Sequence, residues 1–216
     1  MLRNLGLTNS TLNQFIGEIR DVTIQKDRLR FRRNLERIGE IFAYEISKTL
    51  QYKETEVTTP LGIAMIPLLQ DEIVLATVLR AGLPLHNGLL NVFDKAGNAF
   101  IAAYRKYHQD GTFDIRVEYV SSPEIDGKVL ILSDPMLATG SSVVLSYREL
   151  LENGTPTHTH IVTCIASNEG IEYLMKYIPN QHVTIWTAAI DNELTVKSYI
   201  VPGLGDAGDL AFGEKE

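Results

Sequence analysis

The hydrophobic positions of this chain begin with a helical period. Leu12, Phe15, Ile16 and Ile19 fall at i, i+3, i+4 and i+7, behind Ser10 or Thr11 as an N-cap. A second helical pattern covers about residues 27–50, with Leu35, Ile38, Ile41, Phe42 and Ile46 on one side. Over residues 54–71, β-rich segments flank the turn signal Pro60-Leu61-Gly62, which predicts a hairpin or protruding arm. From Ile73 onward short apolar runs alternate with helical stretches. Strands are predicted over 73–79, 99–104, 128–133, 160–166 and 183–190, and helices over 84–93, 141–153 and 170–177. Gly154 ends the second of these helices. Strands that are apolar throughout, separated by helices, are covered on both faces. The expected fold class is therefore α/β, an open, mostly parallel sheet with helices on both faces.

A length of 216 residues suits one domain. Its expected parts are N-terminal helices (1–50), a β-arm (54–71), an α/β core (73–190) and a C-terminal loop region (191–216). No apolar run approaches the ~18 residues of a spanning helix, so no membrane partner is expected. The N-terminal residues show no secretion signal and Cys164 is a lone cysteine, which together predict a cytoplasmic location. Counting 20 Lys+Arg against 27 Asp+Glu gives a net charge of −7, which argues against DNA as a ligand. The basic group Lys26, Arg28, Arg30, Arg32, Arg33 and Arg37 reads as a solvated or subunit-contacting face in preference to an effector-binding patch. His158 and His160 alternate at a strand start and read as surface residues, whereas Cys164 reads as a buried, inert thiol.

In an open α/β sheet, ligands bind beyond the carboxyl ends of the strands, which directs attention to the segments after Leu79, Tyr104, Ser133, Ala166 and Ile190. After Ser133, an apolar strand delivers Asp134, and Thr139-Gly140-Ser141-Ser142 then enters a helix. Successive N–H groups and hydroxyls at a helix N-terminus make a phosphate receptor, and Gly140 allows close backbone approach. Asp134, placed just before, suits ribose hydroxyls, Mg²⁺ or a developing cation. A capped αβ turn is the plainer reading of that segment alone. Arg80 follows one apolar strand and Arg105 another; either alone reads as a structural ion pair, but two planar forks suited to phosphate oxygens at one crevice favour a diphosphate clamp. Residues 199–213 are dense in glycine and show no helical period; composition alone favours a surface loop, and the functional reading is a glycine-stiffened loop whose backbone reads the edge of a planar ligand. Gly203, Gly205 and Gly208 match a dinucleotide fingerprint in spacing, but too few residues follow for the βαβ unit. There is no P-loop, no zinc spacing and no nucleophile elbow.

LRAGL, AYR, DPMLATG and YIVPGLGDAGD, in this order over about residues 28–213, resemble the uracil phosphoribosyltransferase family. The resemblance implies the type I phosphoribosyltransferase fold and the joining of uracil to 5-phosphoribosyl 1-diphosphate (PRPP) with Mg²⁺, releasing UMP and diphosphate. It places Arg80 and Arg105 on the diphosphate of PRPP. Asp134, Pro135, Met136, Leu137, Ala138, Thr139, Gly140, Ser141 and Ser142 would hold its ribose and 5-phosphate. Ile200, Gly205, Asp206 and Ala207 would contact uracil. Asp206 would also lie near PRPP or, through water, near Mg²⁺ that PRPP mainly holds. Asp134, Arg105 and Asp206 are the implied catalytic residues. Two positions depart from the pattern: Ser141 stands for a usual glycine and Leu210 for a usual Lys or Arg. The residues 108–122 form a polar stretch suited to a mobile cover. A homodimer or higher homo-oligomer is expected, with room for a nucleotide effector. The competing readings are a phosphoribosyltransferase for another base and a regulatory nucleotide- or RNA-binding protein on the same fold.

Overall fold

A computed structural model describes residues 1–107, 113–178 and 180–214. The chain begins with strand β1 (Leu2–Asn4), then helix α1 (Thr11–Arg20) and helix α2 (Arg28–Ser47). Ser10 caps α1 in a reciprocal box with Asn13, and Asp27 caps α2 through the Arg30 N–H. The predicted apolar stripes are the buried faces: Leu12, Ile16 and Ile19 of α1 pack with Phe31, Leu35, Ile38 and Phe42 of α2. Strands β2 (Tyr52–Thr59) and β3 (Gly62–Leu69) form a separate antiparallel hairpin, the arm expected from the turn signal. The core continues through β4 (Ile73–Leu79), α3 (Leu83–Val92), β5 (Gly97–Tyr107), β6 (Phe113–Ser121) and β7 (Val129–Ser133). It ends with β8 (Met136–Leu137), α4 (Ser141–Leu150), β9 (His158–Ser167), α5 (Asn168–Tyr177) and β10 (Val183–Asp191). Two short strands, β11 (Glu193–Leu194) and β12 (Ile200–Val201), and helix α6 (Ala207–Phe212) close the chain.

The main sheet runs β1-β10-β9-β7-β4-β5-β6, with β8 beside β9, and only β6 is antiparallel to its neighbour. Two apolar clusters, one on each face, make the core: α1, α2 and α3 cover one side, α4 and α5 the other. This is the expected α/β class. It places the carboxyl ends of β4, β7, β9 and β10 along one rim.

The structure corrects several expectations. Strand β1 is new; its three residues pair in parallel with Ile185, Trp186 and Thr187. Strand β5 runs past Tyr104 to Tyr107, so Arg105 lies within a strand, opposite Ile115, and not in the segment after it. Of the supposed cover, residues 113–121 are strand β6, and 108–112 lie outside the described residues. The basic group is exposed as expected at Lys26, Arg28, Arg30, Arg33 and Arg37, and it also ties the fold together. Arg30 pairs with Glu18 at 2.9 Å, Arg37 donates to Asn34 Oδ1 at 3.0 Å, and Arg32 donates to the Ala211 carbonyl at 2.7 Å. Lys26 and Arg28 line a cleft described below.

His160 is not a surface residue. It is buried, and its Nδ1 accepts the indole N–H of Trp186 at 3.0 Å. Burial, reinforced by His158 and Arg3, pushes its pKa down to about 3. An unfolded histidine takes up a proton near pH ~6.5, whereas the folded one resists until about 3. The contribution is therefore complete above the unfolded value and is lost as pH falls from ~6.5 toward 3. The melting temperature should fall across that window, and less steeply in His160→Gln; parallel slopes would show that other groups carry the acid sensitivity. Cys164, by contrast, is fully buried as expected, and burial raises its thiol pKa, which leaves it inert.

Candidate active site

Two clusters stand beyond the carboxyl ends of the adjacent strands β4 and β7. The strands are locked there by hydroxyls: Thr77 Oγ1 donates to the Ser133 carbonyl at 3.2 Å, and Ser133 Oγ donates to the Ala76 carbonyl at 3.1 Å.

The first cluster is the loop from Asp134 to Ser142. The Asp134 N–H donates to the Val162 carbonyl, and its Oδ1 accepts the Met136 N–H at 3.2 Å. The Pro135 carbonyl accepts N–H groups from both Cys164 and Ile165, and Met136 and Leu137 pair with β9. Ser167 Oγ donates to the Ala138 carbonyl. Each residue of the loop as far as Ala138 is thus tied to β9 or to the start of α5. Gly140 then caps α4 with φ +79°, a left-handed conformation that side chains disfavour. A Cβ there would stand 2.8 Å from the Gly170 carbonyl oxygen. Thr139 Oγ1 and Ser141 Oγ share a hydrogen bond of 3.0 Å at the mouth of the helix. The result is a fixed nest of hydroxyls and N–H groups, with one carboxylate at its entrance. Ser141 contributes a hydroxyl that the usual glycine lacks.

The second cluster joins β4 to the end of the chain. The Leu79–Arg80 peptide is cis, and Arg80 Nη2 donates to Asp209 Oδ1 and to the Gly213 carbonyl, each at 3.1 Å. The segment expected as a loop contains helix α6. Asp206 is its N-cap, and Oδ1 accepts the N–H groups of Gly208 at 2.8 Å and Asp209 at 3.0 Å. Six residues are too few to show a helical period, which is why the sequence reads as loop. Ile200, Leu204 and Ala207 are buried beneath this segment, whereas a Cβ added to Gly205 (φ +96°) would meet open space. The segment thus presents unobstructed backbone at Gly205 on a buried apolar support.

A cleft of about 360 Å³ adjoins this segment, lined by Gln25, Lys26, Arg28, Asp206, Asp209, Leu210 and Glu214. Leu210 packs on the core beside the two cations of the α2 start, so positive charge at this spot comes from another element. The structure thus joins Arg80 to the 206–213 segment and sets the nest on the next strand. The Arg105 side chain lies outside the described residues. Asp191 and Arg20, which hold the turn before Gly205, escaped the sequence reading because they are 171 positions apart. The one available signal was the acidic residue that follows Ile190 at a strand end.

No group of three or more metal-ligating side chains exists among the described residues. Asp134 and Asp206 each use Oδ1 within the fold, so this chain's donors fit a cation carried mainly by its ligand's own oxygens, in the manner of Mg²⁺ on a phosphate ester.

A sequence model of the family described as Uracil phosphoribosyltransferase matches residues 7–214. The uracil phosphoribosyltransferase of Porphyromonas gingivalis is 58% identical over 212 residues, 98% of each chain. Among solved structures, the AQ2163 protein from Aquifex aeolicus superposes with a TM-score of 0.87 at 30% identity, covering 99% of this chain and 98% of that one. The orotate phosphoribosyltransferase of Mycobacterium tuberculosis, solved with PRPP, shares the fold at a TM-score of 0.51 and 8% identity, covering 85% and 91%.

Proposed function

The chain belongs to the uracil phosphoribosyltransferase family, and from that premise we propose that it joins uracil to PRPP, giving UMP and diphosphate. The observation that carries this reading is the pairing of a phosphate nest at the end of β7 with a segment of unobstructed backbone, on a buried apolar support, reached from β4. One site suits a phosphorylated sugar and the other a planar base.

The proposed roles are those the family resemblance implies, and the geometry supports part of them. The nest from Thr139 to Ser142 takes the 5-phosphate, and Asp134 faces the ribose as positive charge grows on C1. Arg80 and Arg105 take the departing diphosphate. Both bonds of Arg80 within the fold leave from Nη2, and a guanidinium carries five donors. Mg²⁺ on the diphosphate would add charge neutralisation, with Asp206 as the residue that meets it through Oδ2 or a water. Ile200 packs on the uracil ring, and the backbone of Gly205, Asp206 and Ala207 pairs with its edge. UMP formation from uracil, PRPP and Mg²⁺, with hypoxanthine and orotate as controls, tests the reading; preference for a control base would overturn it. Chelating the divalent cation should abolish turnover, and added Mg²⁺ should restore it.

A homodimer and a cytoplasmic location complete the proposal. Among the described residues no helix is long and apolar enough to cross a membrane. Strand β3 is apolar along almost its whole length, and Ile63, Met65, Ile66, Leu68 and Leu69 are all exposed, with Leu61 at the tip 99% exposed. An isolated hairpin is marginal in water, and an apolar patch of this kind needs a cover. A second copy of the chain is the proposed one. Light scattering should give a dimer for the natural chain and a shift toward monomer for Ile63→Asp combined with Leu68→Asp; a natural chain that is monomeric at micromolar concentration would contradict it.

A further inference from the structure

We propose that Asp191, gripped by Arg20, is the positioning residue of the base-binding segment, fixing Ile200–Ala207 in the placement that reads uracil. The inference rests on the assignment of that segment to the base.

Asp191 ends β10 and is buried, paired in register with Ser167 of β9. Arg20, the last residue of α1, meets it with both prongs: Nη1 donates to Oδ2 at 2.9 Å and Nη2 to Oδ1 at 3.1 Å. The same Oδ2 accepts the buried N–H of Gly203 at 2.9 Å, while Arg20 Nη1 reaches the Gly203 carbonyl at 3.4 Å. Both peptide groups of one residue are therefore held by one ion pair. Gly203 itself has φ +52°, and a Cβ there would lie 2.1 Å from the Ile200 carbonyl oxygen. The turn from Ile200 to Gly203 is closed on itself, so whatever fixes Gly203 fixes the whole turn and the direction in which the chain leaves for Gly205.

This network has a function beyond holding the fold together. Backbone recognition of a base works only when N–H and carbonyl groups sit at hydrogen-bond distance, and a displacement near 1 Å can cost ~10²-fold in rate. Side chains can rotate to recover a contact, but a backbone reader cannot. It needs an anchor on a rigid element, and Asp191 ties the turn to the parallel sheet. Charge-assisted, bidentate bonds are the stiffest available for that purpose. The phosphate nest, in contrast, hangs from β7, β9 and α5 and shares none of these bonds. The two substrates should therefore respond separately.

Steady-state kinetics of the full chain test this, with uracil varied at saturating PRPP and the reverse. Asp191→Asn keeps the shape, loses the charge and gives up one acceptor. Its KM for uracil should rise at least tenfold, with KM for PRPP within twofold of the natural chain. Arg20→Lys keeps a cation opposite Asp191 but loses the fork, and should raise the uracil KM severalfold; it supplies the same comparison if Asp191→Asn folds poorly. Ala207→Pro, run alongside, tests the underlying reading. If Ala207→Pro impairs uracil use while the Asp191 and Arg20 variants leave the uracil KM unchanged, or lower all parameters together with the folded fraction, the positioning role is refuted. If Ala207→Pro leaves uracil use intact, the segment does not bind the base, and the reading beneath the proposal fails.

Discussion

Ala207→Pro should all but eliminate the use of uracil while leaving PRPP binding within about threefold. Most proline substitutions say little about a single hydrogen bond because they break the surrounding structure, but here the local geometry accepts the ring. Ala207 is the first residue of α6, the position where proline is favoured. Asp206 before it has φ −93° and ψ 106°, the extended conformation that a following proline requires. The cap bonds of Asp206 go to Gly208 and Asp209, so the helix start does not depend on the Ala207 N–H. The substitution therefore deletes one donor and keeps the helix cap, while the ring carbons add volume at the buried Ala207 position. A site that pairs with a base rejects a partner it cannot satisfy by ~10⁴-fold or more, because a buried polar group is left unpaired. Loss of the donor from the protein should cost about the same as loss of an acceptor from the base. Cytosine, which puts an amine where uracil has a carbonyl, should be refused by the natural chain for that reason. Ala207→Gly, which retains the N–H, should stay within tenfold of the natural rate. Comparable turnover of uracil in the proline variant, with a normal melting temperature, would remove Ala207 from the site.

The division between what the sequence displays and what it conceals is physical. The strands β4, β7, β9 and β10 are plain in the sequence because both faces are buried, and burial favours near-continuous runs of apolar and β-branched residues. Their ends are plain for the same reason: the first charged residue after such a run, Arg80 or Asp134, marks the rim. Strand β6 is hidden because an antiparallel edge carries polar residues, and β1 because three half-exposed residues form no pattern. Helix α6 is hidden inside glycines, one of which follows the capping aspartate by only two positions. The basic group at the start of α2 is the solvated face that its charge density suggests, but the pattern does not show which residues it pairs with. One of its partners, the Ala211 carbonyl, is far away in sequence. His160 fails for the same reason: its partner, Trp186, lies on the next strand. Pairings between distant residues are invisible to periodicity, and the Arg20–Asp191–Gly203 network belongs to that class.

Asp134→Asn is expected to lower turnover by ~10²-fold or more while moving the melting temperature by only a few degrees. The bond within the loop, from the Met136 N–H to Oδ1, needs a carbonyl-type oxygen, which asparagine supplies. The ties of the neighbouring backbone to Val162, Cys164 and Ile165 involve no side chain and persist. The negative charge is lost. In the proposed reaction, cleavage of the bond from C1 to diphosphate builds positive charge on the ribose, so a fixed carboxylate stabilises the transition state more than the ground state. Removing a preorganised group of that kind typically costs ~10²–10³ in turnover. The KM for PRPP should change less than kcat, since the nest from Thr139 to Ser142 still holds the 5-phosphate. The opposite result, a large fall in melting temperature with normal activity per folded molecule, would assign Asp134 to the architecture of the loop. A rise in the PRPP KM with kcat preserved would place its charge on ground-state binding of the ribose or its metal. The outcomes separate Oδ1 as a turn acceptor from the net charge as a partner of C1 in the transition state or of the bound ribose in the ground state.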